Sequence, residues 1–189
     1  RREPVVDELG SKHTEYLPCL RDKNGKGINT VPLPENIAPT EKQPDGQVLC
    51  GQVHDPLARI LNGGISGNAG VFSCAEDIAI LCAALQNGGE WNGHRILSPQ
   101  GVKTMRTVPR ATADLGRSPG WDVCSPYASN AGDFFGPNTY GHTGYTGTSV
   151  VIDPDNDTSV ILLTNAVHPE DGHSVVRLRS LVANAVAAS

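Results

Sequence analysis

The chain has 189 residues, 38% hydrophobic and only 5% aromatic, with 21 glycines and 14 prolines. That is long enough for one domain with a real core, too short for two independent ones, and rich in turns. A formal net charge of -5 without any cluster of Lys and Arg excludes a nucleic-acid-binding role, and the longest apolar run, 78–85, is far short of the roughly 20 residues that span a bilayer.

The opening Arg1-Arg2-Glu3-Pro4 shows neither an initiator Met nor an apolar leader, so the expectation is that the natural N-terminus and any export signal lie upstream. Residues 20–51 are rich in Pro, Gly, Asn and Lys without periodicity and predict a long irregular excursion with few helix or strand hydrogen bonds. A short helix is expected over 55–61, with Asp55 as its N-cap before Pro56 and Asn62-Gly63-Gly64 ending it. Asn68, in the glycine-rich turn 63–70, reads as a turn residue. Ser73-Cys74-Ala75-Glu76 carries the S-x-x-E capping box, and the helix it opens should run to Gln86 and stop at Asn87-Gly88-Gly89. Ser98-Pro99 opens another helix to about Thr107, with Ser as N-cap and Pro at the first helical position. Gly120-Trp121-Asp122-Val123 reads as a short strand.

The densest chemical signal lies at 139–165. Gly141-His142-Thr143-Gly144-Tyr145-Thr146-Gly147-Thr148, running into Ser149-Val150-Val151-Ile152-Asp153-Pro154, reads as one edge strand whose bare glycines let a substrate lie against main-chain N–H groups. Thr158–Asn165 is a second strand, and the turn Pro154-Asp155-Asn156-Asp157 makes the two a hairpin with a polar mouth at His142. Residues 174–187 close the chain with an amphipathic helix whose apolar positions are Val175, Leu178, Leu181, Val182 and Val186. Helices, then antiparallel strands, then a helix give an α+β fold, an α/β sandwich in which helices flank an antiparallel sheet.

Cysteines 19, 50, 74, 82 and 124 show no C-x-x-C pair and no zinc spacing. A Cys19–Cys50 disulfide is conceivable without support, while Cys74 and Cys82 fall on the helix pattern as small buried hydrophobes. His94, His168 and His173 have no metal-ligand spacing, His54-Asp55 resembles a hydrogen-bonded pair but Asp55 is better explained as the helix N-cap, and 63–70 lacks the strand and the acidic partner of a dinucleotide loop. No metal and no cofactor are expected.

Four blocks in order resemble the penicillin-recognising serine hydrolases, comprising serine β-lactamases, penicillin-binding DD-peptidases and related esterases. They are Leu9-Gly10-Ser11-Lys12-His13-Thr14-Glu15-Tyr16-Leu17-Pro18, Ala69-Gly70-Val71-Phe72-Ser73-Cys74-Ala75-Glu76-Asp77-Ile78-Ala79, Gly93-His94-Arg95-Ile96-Leu97-Ser98-Pro99 and His142-Thr143-Gly144 with the strands after it. The departures are as informative. No serine has a lysine three positions on, and Tyr127-Ala128-Ser129, which fits Y-x-S by letter, falls out of order. The resemblance therefore implies the C-terminal part of a single β-lactamase-like transpeptidase domain spanning 1–189, with 139–165 as the active-site hairpin and 174–187 as the closing helix.

By the same resemblance the complete protein acts by acyl transfer on an amide, lactam or ester. His142 and Thr143 are carried over as substrate-binding side chains, Gly144 as the bare backbone beside them, and the N–H of Tyr145 as an oxyanion donor whose loss costs roughly 2.7–4 kcal/mol. The nucleophile and base are not in this chain, which alone should be inactive. A histidine in place of the family's usual lysine implies weaker recognition of a carboxylate. A small-molecule or peptide-like acyl substrate, and an exported or periplasmic location, are implied. The rival readings are a non-catalytic binding or scaffold module and a half that complements an N-terminal chain. Exposed sheet edges would also allow self-association.

Overall fold

The computed structural model describes residues 4–189, which divide into two compact units: the chain up to Cys74 together with Asn165–His173, and Ala75–Thr164 together with Ser174–Ser189.

The first unit opens with the short helix α1 (Pro4–Glu8). Strand β1 (Glu15–Tyr16) pairs antiparallel with β4 (Val71–Phe72), and between them β2 (Cys19–Arg21) and β3 (Gly27–Asn29) form a hairpin. The stretch expected to be irregular over 20–51 thus contains ladder structure. Asp22 makes the hairpin possible: its Oδ1 accepts from the N–H groups of Asn24 and Lys26, each at 2.8 Å, and Gly25 takes a left-handed φ of 80°. A second turn at 43–47 brings Lys42 and Val48 into an isolated bridge. These strands are too short for any alternation to register in the sequence. One turn of π-helix follows at Leu57–Leu61. Asp55 acts as a cap, its Oδ1 accepting from the Ala58 N–H at 2.7 Å. Leu17, Cys19, Val53, Ala58 and Val167 are buried at the unit's centre.

The second unit is built on a five-stranded antiparallel sheet. Helix α2 (Ala75–Gln86) leads into the small hairpin β5 (Glu90–Trp91) and β6 (His94–Arg95), then helix α3 (Pro99–Met105). The sheet strands are β7 (Arg117–Ser118), β8 (Trp121–Asp122), β9 (Tyr140–Thr143), β10 (Thr148–Asp153) and β11 (Thr158–Leu163), in the order β11-β10-β9-β8-β7. Helix α4 (Val176–Ala187) closes the chain. One face of the sheet offers Tyr140, Val150, Ile152 and Ile161 to Cys82, Leu85 and Val102 of α2 and α3. Trp121 meets Tyr140 edge to face, with ring centroids 5.2 Å apart at 75°. Burial pushes the Cys82 thiol up to about 11 and the Tyr140 phenol up to about 12, so both stay neutral core groups.

Several local expectations hold in detail. Ser98 caps α3 by accepting from the Gly101 N–H at 3.0 Å, with Pro99 at the first helical position. Helix α2 ends where the glycines predict, the Gly89 N–H reaching back to the Ala84 carbonyl at 2.7 Å. It begins at Ala75, within two residues of Ser73, whose hydroxyl also lies 2.7 Å from that of Thr14. Cys19 and Cys50 are both free thiols, Cys19 buried and donating to the Arg59 carbonyl at 3.2 Å.

Three corrections concern the sheet and the last helix. The segment read as one strand over 141–154 is two, β9 and β10, joined by the turn 144–147, where the Gly144 N–H donates to the Thr148 carbonyl at 2.7 Å and Gly147 takes φ 120°. A conformation L side chains rarely adopt forces the reversal that a composition of Gly, Thr and Tyr left ambiguous. Strand β9 is also not an edge throughout, since β8 pairs with it at Asp122–Gly141; only beyond Gly141 does that ladder stop. In α4, Leu178, Leu181 and Val186, expected to face the core, are 44%, 55% and 36% exposed, while Arg179 and Ala183 are buried.

Candidate functional site

The H-T-G residues sit where β9 outruns β8. His142 pairs across the ladder with Val150 and Thr143 with Ser149. Gly144 starts the turn, and Tyr145 at its tip is 73% exposed. The structure therefore brings His142, Thr143, Gly144 and Tyr145 together at one end of the sheet. A groove beside them is lined by Asp122, Val123, Asn130, Ala131, Gly141 and Thr143. Gly141 is there because its neighbour is backbone: a Cβ at this position would run into the Val150 carbonyl of β10.

The turn is anchored through its carbonyls. Gly144 O accepts from the Gly147 N–H at 3.1 Å and from Nη2 of Arg179 at 2.9 Å. The same Nη2 reaches the Thr148 carbonyl at 2.9 Å, and the Thr164 hydroxyl donates to Gly147 O at 2.6 Å. Arg179 also donates from Nη1 to Asn130 Oδ1 at 3.3 Å, while its buried Nε has no hydrogen-bond partner among the described residues. Burial lowers the affinity of this guanidinium for its proton, but a guanidinium stays charged in proteins, so a buried cation lies directly behind the turn.

His142 has a partner that the sequence reading did not find. Nη2 of Arg117 lies 2.6 Å from His142 Nε2, and His142 Nδ1 lies 2.9 Å from the Thr143 carbonyl. Arg117 is 25 residues upstream on β7. Pairing of Arg117 with Asp122, and of Asp122 with Gly141, carries it across two strand spacings, about 10 Å, which a long side chain can cover. No local pattern marks either Arg117 or Arg179, since what selects them is register and helix rotation.

Other polar residues have structural partners. His54 Nε2 pairs with Glu41 Oε2 at 3.0 Å, and His168 Nδ1 meets the Thr40 carbonyl at 2.9 Å. The Asn68 side chain accepts from Ser66 Oγ within its turn. Among the described residues no group of three or more His, Cys, Asp or Glu converges as a metal site. The side chains of Tyr127, Ala128 and Ser129 lie outside the described set.

Comparison with known proteins agrees over most of the chain. A family model described as Beta-lactamase matches residues 18–184. A protein of Escherichia coli strain K12 named "Putative D-alanyl-D-alanine carboxypeptidase" is 36% identical over 180 residues, covering 88% of this chain and 39% of that protein. This chain thus spans well under half the length of that relative. Among solved structures, one titled as a hydrolase with promiscuous acyltransferase activity aligns over 95% of this chain and 48% of its own, with a TM-score of 0.52 at 21% identity. A β-lactamase of Mycobacterium bovis aligns over 64% of this chain and 45% of its own, with a TM-score of 0.50 at 22% identity. At such identities the two structures speak to the fold.

Proposed function

Because this chain belongs to the beta-lactamase family, the penicillin-recognising serine hydrolases, we propose that β9 and its turn are the substrate-binding half of a serine acyl-transfer site acting on an amide, lactam or ester. His142 and Thr143 bind the substrate, Gly144 lets it lie close to the main chain, and the Tyr145 N–H faces the developing oxyanion. The observation that carries this reading is the anchored turn at the open end of β9: donors from Arg179 and Thr164 hold the carbonyls of 144, 147 and 148, which fixes the orientation of the peptide groups between them. The name of the Escherichia coli relative makes a peptide ending in D-alanyl-D-alanine the substrate of choice.

The nucleophile and its base are assigned to sequence outside these residues, because no serine in the 189 is followed by lysine at the third position. An N-terminal half of the same protein is therefore the partner that would supply them, and self-association through an exposed sheet edge is a separate expectation.

The test uses the chain itself, 15N-labelled. Nitrocefin and p-nitrophenyl esters should show neither burst nor turnover, while N-acetyl-D-alanyl-D-alanine should shift the amide resonances of His142, Thr143 and Gly144. A burst of nitrophenol would refute the assignment of the nucleophile, and unmoved resonances would refute the site.

A further inference from the structure

Asparagine is a poor choice inside a helix, because its amide competes for backbone hydrogen bonds, yet Ala183-Asn184-Ala185-Val186 sets one among apolar neighbours in the last turns of α4. The fold gives that amide a task. Asn184 Oδ1 accepts from the Asp133 N–H at 2.7 Å, and Asn184 Nδ2 donates to Asp133 Oδ2 at 3.0 Å. Each residue gives the other one hydrogen bond and takes one, across a separation of 51 residues. Two bonds fix orientation as well as position, where one would leave a hinge. Gly132 makes the close approach possible: it takes a left-handed φ of 76°, and a Cβ there would collide with Asn184 Oδ1.

This latch bears on the groove beside β9. Asn130 and Ala131, just before the latched residue, line that groove together with Gly141 and Thr143. Both ties of the segment run to one helix. Arg179 Nη1 reaches Asn130 Oδ1, and five residues on, about 7.5 Å along the helix axis, Asn184 holds Asp133. The same Arg179 holds the carbonyls of Gly144 and Thr148 through Nη2. Helix α4 therefore secures the 130–133 wall and the turn after β9 at once, and one rigid element sets the spacing between them.

We infer that Asn184 is a positioning residue: by latching Asp133 it fixes Asn130 and Ala131 as a wall of the groove, and so sets the affinity for a ligand lying along β9 without touching it. The inference rests on β9 being the substrate strand and adds a residue which that reading does not use. Without the latch the wall visits other positions, and a site that is competent only part of the time binds more weakly by that fraction.

The experiment titrates N-acetyl-D-alanyl-D-alanine into the 15N-labelled chain and three variants. Asn184→Ala deletes both bonds while raising helix propensity, so α4 stays formed. Asn184→Asp sets two carboxylates against each other. Asn184→Asp combined with Asp133→Asn exchanges amide and carboxylate, which rebuilds the reciprocal pair with its ends reversed. Both single variants should shift the amide resonances of Asn130 and Ala131, leave those of Val160 and Ile161 in place as the sign of an intact sheet, and bind the ligand about tenfold more weakly. The exchanged pair should restore most of the lost affinity. Affinity unchanged in Asn184→Ala, or not restored by the exchange, overturns the proposal and leaves the substrate strand standing. No binding by the unsubstituted chain overturns both.

Discussion

Asp153 shows how much one side chain can organise. It is fully buried at the end of β10, and its carboxylate accepts from the Gly136 N–H at 3.2 Å, the Asp155 N–H at 3.0 Å and Asn156 Nδ2 at 2.6 Å. Burial alone would push its affinity for a proton up, but these hydrogen bonds to the charged form outweigh burial and hold the carboxyl below its usual value of 3.8. In the unfolded chain the group regains that usual value, so acid favours unfolding. Its stabilisation is complete above the unfolded value and is lost as pH falls through the folded one. Urea unfolding of the native chain and of Asp153→Asn should therefore show the largest stability difference at neutral pH, shrinking below about pH 4. A difference constant across that range would contradict this account. Asp-Pro-Asp-Asn-Asp is legible as a turn; that its first carboxylate also secures the distant Gly136 is not, because that bond spans 17 residues.

Among the elements, α4 carries the clearest lesson. Its apolar positions repeat at helical spacing, and the helix forms as that spacing predicts. Yet Ala183 is 1% exposed and Arg179 7%, while Leu178 and Leu181 face outward. The helix buries its small residue and turns its guanidinium toward the turn after β9, where the carbonyls of Gly144 and Thr148 offer acceptors. Hydrogen bonds to a charged donor contribute roughly 1.5–3 kcal/mol each, enough to compete with burying a leucine. Enlarging Ala183 to leucine should cost about 1–3 kcal/mol by overpacking, while Leu181→Gln should change stability by less than about 0.5 kcal/mol. Thermal denaturation of the two variants decides between this rotation and the one the sequence pattern favours, which would give the opposite ranking.

At the scale of the whole molecule, the sheet of the second unit ends in β7 on one side and β11 on the other. Strand β11 pairs with β10 over its full length, Thr148–Leu163 to Asp153–Thr158, and Leu163 at its end is 41% exposed. A six-residue edge strand of Thr, Ser, Val, Ile and Leu with no charge or proline is a template for another chain. Light scattering at increasing concentration should show a mass above that of one chain, and Leu163→Lys should lower it. A single monomeric mass at all concentrations would count against edge pairing.

The family was legible in the sequence, because its blocks are local: turn glycines, the serine cap of α3, the H-T-G tripeptide and the apolar strands of 148–163 each depend on neighbours a few residues away. The α+β class followed from the order of those elements. Of the proposed site, the run His142 to Tyr145 was legible as a motif. Tertiary structure alone decided the rest. Strand register carried Arg117 to His142, and the rotation of α4 put Arg179 behind the turn. The break between β9 and β10 was settled by a left-handed Gly147 and a ladder closing over it. These outcomes depend on which distant acceptors and side chains come within about 3 Å of one another, a quantity that periodicity and local motif do not encode.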